Sequence, residues 1–390
     1  MDLRLATPLL AGLSPLEFMR EHWQKRPLLV RSAMPVPCAP LGRAELFALA
    51  AREDVESRLI VRKGSRWSVR QGPLQRRALP PLRQPGWTLL VQGIDLHVEA
   101  AHRLLSNFRF VPDARLDDVM VSYATTDGGV GPHFDSYDVF LLQVQGRRRW
   151  RAGPVSDASL RPDAPLKLLR HFEADSEWLL EPGDMLYLPP HWAHDGVAEG
   201  ECMTCSIGFR APAQVELSRD VMQRVVDGVE APAGDPLYGD PRQPATAQPG
   251  LIPAALRAFA QRGVHRLLSD PAELDRALGE VMSEPKPRVV FDPGAAVDPG
   301  ADVCLDRRTR MMYDTRHVFI NGEAYRTAGP DARLMRRLCD RRCLVAAEIS
   351  ALSPQVRELV DEWAQAGWMR SATYKESEDE RADSAERTER

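Results

Sequence analysis

GGVGPHFDSYDVFLLQVQGRRRW, residues 128–150, begins with a glycine-rich turn and then alternates in the manner of a β-strand. His133 and Asp135 sit two positions apart within it. A strand sends side chains i and i+2 to the same face. An imidazole nitrogen and a carboxylate oxygen can therefore converge on one metal ion. Gly146 is expected to turn the chain, with Arg147, Arg148 and Arg149 on the strand that follows.

A third ligand is offered by EPGDMLYLPPHWAHDG, residues 181–196. Pro182, Gly183 and Asp184 predict a turn, Met185–Leu188 a short strand, and Pro189 and Pro190 its end, with His194 following. Two histidines and one carboxylate form the facial triad of non-haem Fe(II) sites, which leaves coordination positions open. HxD alone is a weak signal. HxD followed about sixty residues later by PGDxxYxPxxxxH is specific, because the two motifs supply complementary parts of one donor set.

The bulk properties narrow the rest. A chain of 390 residues predicts two or three domains. Its hydrophobic content of 44% is that of an ordinary globular protein, and a net charge of −4 gives no general attraction to nucleic acid or anionic membrane. The N-terminus lacks the pattern of a secretory signal, and no stretch approaches a membrane span. The six cysteines, Cys38, Cys202, Cys205, Cys304, Cys339 and Cys343, are scattered. They read as buried free thiols in a reducing cytoplasm rather than as a disulfide framework or a zinc site.

Along the chain, residues 14–25 predict a helix with Ser14 as N-cap, Pro15 at the first position and Glu17 closing a capping box. Leu16, Met19 and Trp23 are its expected apolar stripe, with Phe18 outside it. Leu28–Val30, residues 57–70 and residues 87–92 predict strands, and residues 43–55 and 98–108 predict helices. Residues 118–209 read as short strands separated by turns, the pattern of a barrel or sandwich, without choosing between them. Residues 213–228, 251–268 and 271–283 are helical in pattern, around a Pro- and Gly-rich loop or lid at 231–250. Beyond Pro285, strands near 287–291, 311–313 and 317–319 and helices near 330–342 and 354–367 suggest a winged-helix-like domain. Arg333, Arg336, Arg337, Arg341 and Arg342 make it locally basic, which is more often a solvated face than a nucleic-acid surface. Residues 371–390 have the composition of a disordered tail.

These motifs together resemble the bacterial JmjC-type ribosomal oxygenases, 2-oxoglutarate-dependent enzymes of the cupin superfamily that hydroxylate ribosomal proteins. The resemblance rests on PLLVR, GGVGPHxDxYDVF, GRRRW, PGDxxYxPPxxxH and SxGFRAP, and it covers most of the chain. It implies a mixed α and β protein with a double-stranded β-helix (jelly roll) core. The implied divisions are a catalytic domain over residues 1–210, a helical dimerisation block over 211–284, a winged-helix-like domain over 285–370 and the tail. It implies His133, Asp135 and His194 as ligands of Fe(II), with His191 the competitor that the PPxxxH spacing disfavours. The dianionic co-substrate 2-oxoglutarate needs a cation, and the family's residue corresponds to Arg148 by its position after HxD. Ser122 on the preceding strand could add a hydroxyl.

The family's bacterial members act with O2 on an arginine of the sixteenth large-subunit ribosomal protein and release succinate and CO2. A basic target would want Asp127 for charge and Tyr137 for stacking, although a turn role for Asp127 and core packing for Tyr137 compete with this. The expected partners are that ribosomal protein and a second copy of the chain, in the cytoplasm, with no membrane; nucleic acid is the less favoured partner. Two other functions stay open. One is the same oxygenase chemistry on another protein, including demethylation. The other is a non-catalytic cupin-type sensor, which a missing ligand or missing clamp would favour.

Overall fold

The structure, a computed structural model, describes residues 2–229, 235–298 and 300–372. The chain divides into two compact units, one of residues 1–211 with 287–290 and the other of 212–286 with 291–372. The tail expected over 371–390 lies outside the described residues from 373 onward.

The first unit begins with α1 (Pro15–Glu21). The Ser14 side chain accepts from the Glu17 N–H, and the Glu17 carboxylate accepts from the Ser14 N–H, so the capping box forms. Its buried face differs from the expected stripe. Leu16 is exposed, whereas Phe18 is fully buried against Tyr187, Phe140 and Trp23. The helix stops at Glu21, four residues short of the expected end, so Trp23 is not on its surface and cannot extend a Leu16 stripe.

A ten-stranded antiparallel sheet follows, built from β1 (Leu28–Val30), β2 (Ser57–Lys63), β3 (Arg66–Gln71), β4 (Trp87–Val91), β5 (Leu116–Ala124), β6 (His133–Phe134), β7 (Val139–Pro154), β8 (Ser176–Leu180), β9 (Met185–Leu188) and β10 (Trp192–Phe209). Helices α2 (Arg43–Ala50) and α3 (Glu99–Ser106) complete the unit. The strand order is β1-β9-β7-β10-β5-β4-β2-β3, with β6 on β10 and β8 on β7.

Two strands differ from the reading of residues 128–150. The segment from His133 does not run through as one strand: β6 holds only two residues, and the ladder resumes at Val139. The interruption carries Asp138, a fully buried carboxylate that accepts from the Tyr187 hydroxyl at 2.6 Å and from Gln24 Nε2 at 3.0 Å. Nor does Gly146 end a strand. It takes a left-handed φ of 61° inside the continuous β7, where a Cβ would stand 2.1 Å from the Glu201 carbonyl oxygen. This is a β-bulge, and the register with β10 shifts beside it. Before it, Val139 and Leu141 pack in the same apolar cluster as Trp150 and Ala152 after it. Phe140, Leu142 and Val144 belong to the other face. The bulge therefore reverses which parity points inward.

The second unit contains α4 (Gln214–Asp227), α5 (Ala254–Leu268) and α6 (Pro271–Ser283), as expected from the helical periodicity. Next come β11 (Asp302–Leu305), β12 (Met311–Tyr313), β13 (His317–Ile320), β14 (Glu323–Arg326), α7 (Gly329–Arg341), β15 (Cys343–Leu344), α8 (Ala346–Ser350), α9 (Pro354–Gln365) and β16 (Met369–Ala372). The strands form two small sheets, β15-β11-β16 and β12-β13-β14, around a core that includes Met335, Leu338 and Trp363. Helix α6 packs on β13, where Gly279 leaves room for the Phe319 ring. No strand forms at the expected 287–291. Residues 235–250 of the expected lid form no helix or strand, and the rest of the expected start, 231–234, lies outside the described residues.

The free-thiol expectation is corrected in this unit. Cys304 and Cys343 form a disulfide, because the antiparallel register of β11 and β15 sets them directly opposite each other. Neither β11 nor β15 was evident in the sequence pattern, so the pairing was not either. Cys38, Cys202, Cys205 and Cys339 form no disulfide among the described residues.

Candidate active site

His133 and His194 come from strands paired directly across from one another, and their ring centroids lie 4.3 Å apart. Asp135 follows immediately after β6, with one carboxylate oxygen 3.8 Å from His194 Nε2. The donor atoms of His133, Asp135 and His194 all lie within 4.8 Å of one another. His191 is not part of this group. It sits in the turn before β10 with a left-handed φ of 61°, donating its backbone N–H to the Asp135 carbonyl at 2.9 Å.

Both imidazoles are oriented by their own backbone. His133 Nδ1 lies 2.8 Å from the Gly131 carbonyl and His194 Nδ1 lies 3.0 Å from the Trp192 carbonyl. A carbonyl can only accept, so each Nδ1 carries the proton and each Nε2 keeps its lone pair. Burial pushes the His194 imidazolium down to about 4 and neighbouring His133 pushes the same way, against the opposing Asp135 carboxylate. The ring is thus neutral at physiological pH, the form that binds a metal. Two imidazoles whose Nδ1 atoms are engaged by carbonyls, together with a carboxylate, suit a ferrous ion with open positions.

Arg148 lies on the same face as His194, further along the β7–β10 ladder. Its partner across β10 is Ala198, four residues from His194, or roughly 13 Å of strand. The indole of Trp150 lies between them, 5.9 Å from the His194 ring, over Gly196, where a Cβ would meet it at 2.6 Å. Arg148 is buried. Its Nη1 donates to Ser122 Oγ at 2.9 Å and to Thr204 Oγ1 at 3.3 Å, and the guanidinium lies 5.6 Å over the Trp150 ring, while Nε and Nη2 have no hydrogen-bond partner among the described residues. Leaving two buried guanidinium N–H groups unsatisfied costs about 1–3 kcal/mol each. A carboxylate facing that edge would satisfy both through parallel hydrogen bonds. The arrangement fits a ligand with a carboxylate at its far end.

The neighbouring arginines behave differently. Arg149 pairs with Glu177 at 2.6 Å and with Glu199, Arg147 lies 3.9 Å from Glu199, and Arg151 pairs with Asp195 at 2.5 Å, all on the outer face.

Sequence reading missed the support of Arg148. Thr204 Oγ1 donates to the buried Gln143 Oε1 at 2.8 Å, and Gln143 Nε2 donates to the carbonyls of Gln145 and Gly146. The bulge itself is thereby tied to the threonine that holds Arg148. Only the polarity of Gln143 and Thr204 within apolar runs could have flagged them.

The two substrate candidates have separate surroundings. Tyr137 is half-exposed. Partial burial and the neighbouring Asp135 carboxylate both push its phenol above the usual range. Asp127 is exposed in a turn, at a left-handed φ of 61°, with its backbone N–H given to the Ala198 carbonyl. The structure brings Tyr137 to Asp135 and does not bring Asp127 to the triad.

The JmjC domain family matches residues 103–217, and the ROXA-like winged helix family matches residues 266–370. The chain is 35% identical over 279 residues to the ribosomal protein uL16 3-hydroxylase of Escherichia coli K12, covering 71% of this chain and 73% of that one. It is 37% identical over 204 residues to a probable ribosomal oxygenase of Haemophilus influenzae, covering 51% of this chain and 50% of that one. Among solved structures it resembles the Escherichia coli ribosomal oxygenase YcfD in complex with cobalt and 2-oxoglutarate, with a TM-score of 0.76, 29% identity and coverage of 92% of this chain and 98% of that one.

Proposed function

The chain belongs to the JmjC ribosomal oxygenase family, and from that membership we propose that it is an Fe(II)- and 2-oxoglutarate-dependent hydroxylase of an arginine in the sixteenth large-subunit ribosomal protein. The observation that carries this reading is a buried, half-unpartnered Arg148 on the same strand face as the His194 imidazole, with His133 and Asp135 beside it.

His133, Asp135 and His194 would hold the metal, and the Gly131 and Trp192 carbonyls keep both rings in the binding tautomer. Bound there with 2-oxoglutarate and O2, ferrous iron supplies the oxidising power for hydroxylation, with release of succinate and CO2. Arg148 and Ser122 receive the far carboxylate of the co-substrate. Thr204 and Gln143 hold Arg148 in place. Trp150, Leu180 and Leu188 form an apolar layer that excludes water from the ligand. The Tyr137 ring would stack on a substrate guanidinium beside the triad, and Asp127 would offer charge from the turn before it.

The division into a catalytic domain (1–210), a dimerisation block (211–284) and a winged-helix-like domain (285–370) completes the proposal. Helix α5 buries no residue, and Ile252, Leu256, Ala260, Val264 and Leu268 line an apolar groove of about 800 Å³ along it. Val215, Met222 and Val226 are exposed on α4. A second copy of the chain would cover these surfaces, which light scattering would report as a dimer. No helix among the described residues is long and apolar enough to cross a membrane, and a ribosomal substrate is met in the cytoplasm.

The test is incubation of the purified protein with Fe(II), 2-oxoglutarate and the recombinant ribosomal protein, read by intact mass and fragmentation. One oxygen added to one arginine, and lost in His133→Ala and Arg148→Ala, is the expected result. Succinate production without modification would redirect the search to another protein substrate. No succinate with iron bound would favour the sensor function.

A further inference from the structure

Residues 57–92 carry eight Arg and Lys and no Asp or Glu, in a chain whose net charge is −4. The stretch covers the β2–β3 hairpin and the loop after it, and β3 is the last strand of the sheet. Arg62, Lys63, Arg66, Arg70, Arg76 and Arg77 are all exposed, and none forms an ion pair among the described residues. Their contacts are to carbonyls and rings: Arg70 donates to the Ala78 carbonyl at 3.2 Å, Arg62 lies 5.6 Å over the Trp67 ring, and Arg76 lies 5.4 Å over the Phe47 ring.

Charges on an edge strand can serve only to keep edges apart. Two features exceed that need. Lys63 and Arg66 are directly opposite in the register, a like-charge pair that destabilises the hairpin. The charge also continues past the strand to Arg76 and Arg77, where there is no edge to protect. The surface adjoins the candidate active site. The Trp67 ring packs 2.9 Å from where a Gly131 Cβ would stand, and Gly131 supplies the carbonyl that orients His133.

We propose that this surface binds the sugar–phosphate backbone of RNA, so that the enzyme engages its substrate protein as part of a ribonucleoprotein. Exposed guanidinium groups without carboxylate partners match phosphate chemistry, and an aromatic ring among them matches a nucleic-acid surface. The RNA-binding part stands on the charge pattern alone. The substrate part rests on the hydroxylase reading.

The experiment is fluorescence anisotropy of a fluorescein-labelled RNA hairpin of arbitrary sequence with the full-length protein across a KCl series. The wild type is expected to bind. The triple variant Lys63→Glu, Arg66→Glu, Arg70→Glu is expected to bind at least about tenfold more weakly, with the slope of log affinity against log salt shallower by roughly 2–3. Arg103→Glu, an exposed cation on α3, should change neither. Should the triple variant melt early by circular dichroism, Lys63→Gln with Arg66→Gln tests the same point, with an expected slope change of about 2. No binding by the wild type at low salt, or an equal loss in Arg103→Glu, overturns the proposal. So does competition by poly-glutamate equal to that by RNA, which would assign the surface to an acidic protein. Hydroxylation of the isolated ribosomal protein, assayed in parallel, should be intact in the triple variant. Its absence from the wild type would sink the hydroxylase reading and leave the anisotropy result to decide the RNA surface separately.

Discussion

Strand β7 and helix α7 each carry four arginines, and one of those on β7 differs in role from the others. On α7 nearly every one is committed inside its own unit: Arg336 donates to the Thr315 carbonyl and lies over the Tyr313 ring, and Arg337 bonds Glu348. At the C-cap, Arg342 gives Nη2 to the carbonyls of Asp306 and Thr309. On β7 the outward Arg147, Arg149 and Arg151 are likewise paired, but Arg148 is buried with two N–H groups unpartnered. The density of positive charge predicts neither outcome. What separates a stitch from a binding group is whether the fold has already supplied acceptors for the guanidinium, carbonyl or carboxylate.

Breaking that contrast at its strongest point gives the largest effect. Arg148→Met is expected to weaken 2-oxoglutarate binding by about 2–5 kcal/mol, at least roughly 30-fold, because a desolvated carboxylate loses its partner. Thermal stability without co-substrate should hold or rise, since an unsatisfied buried guanidinium disappears. Melting curves with and without 2-oxoglutarate, in the presence of a divalent metal, measure both. A large drop in stability with unchanged co-substrate affinity would mean that Arg148 is structural.

Gly146→Ala attacks the contrast through the bulge that turns Arg148 inward. The left-handed backbone alone costs about 1–2 kcal/mol, and the clash with the Glu201 carbonyl adds to it. Chemical denaturation should show the loss together with weaker co-substrate binding. Thr204→Val should raise the KM for 2-oxoglutarate by roughly fivefold, the worth of about 1 kcal/mol of hydrogen bonding lost from Arg148. Single-substrate kinetics with kcat nearly unchanged would bear that out. The smallest effect is expected for Arg337→Ala on α7: less than about 1 kcal/mol of stability, as for other exposed ion pairs, and no change in succinate production. A loss of co-substrate affinity there would erase the contrast.

How much could be read beforehand differs by element. The α1 capping box was legible because Ser14 and Glu17 act over three residues, yet its buried face was misjudged because that depends on where Tyr187 and Phe140 arrive. Met185–Leu188 was legible from its flanking turn and prolines. The strand expected at 287–291 did not form, and β11 formed unnoticed, because a short strand exists only if a distant partner accepts it. The Cys304–Cys343 disulfide went unseen for the same reason.

By itself the sequence determined the chemistry on offer: two histidines, a carboxylate and an arginine triplet at a spacing that suits a metal and an anionic co-substrate. The tertiary structure decided how they are used. Strand alternation is local, but its phase is not. The phase along β7 is reset at Gly146 by the register with β10, and that register depends on side chains tens of residues away. Arg148 turns inward against Ser122 and Thr204, and its neighbours turn outward to carboxylates, because the pairing of distant strands sets which face is dry.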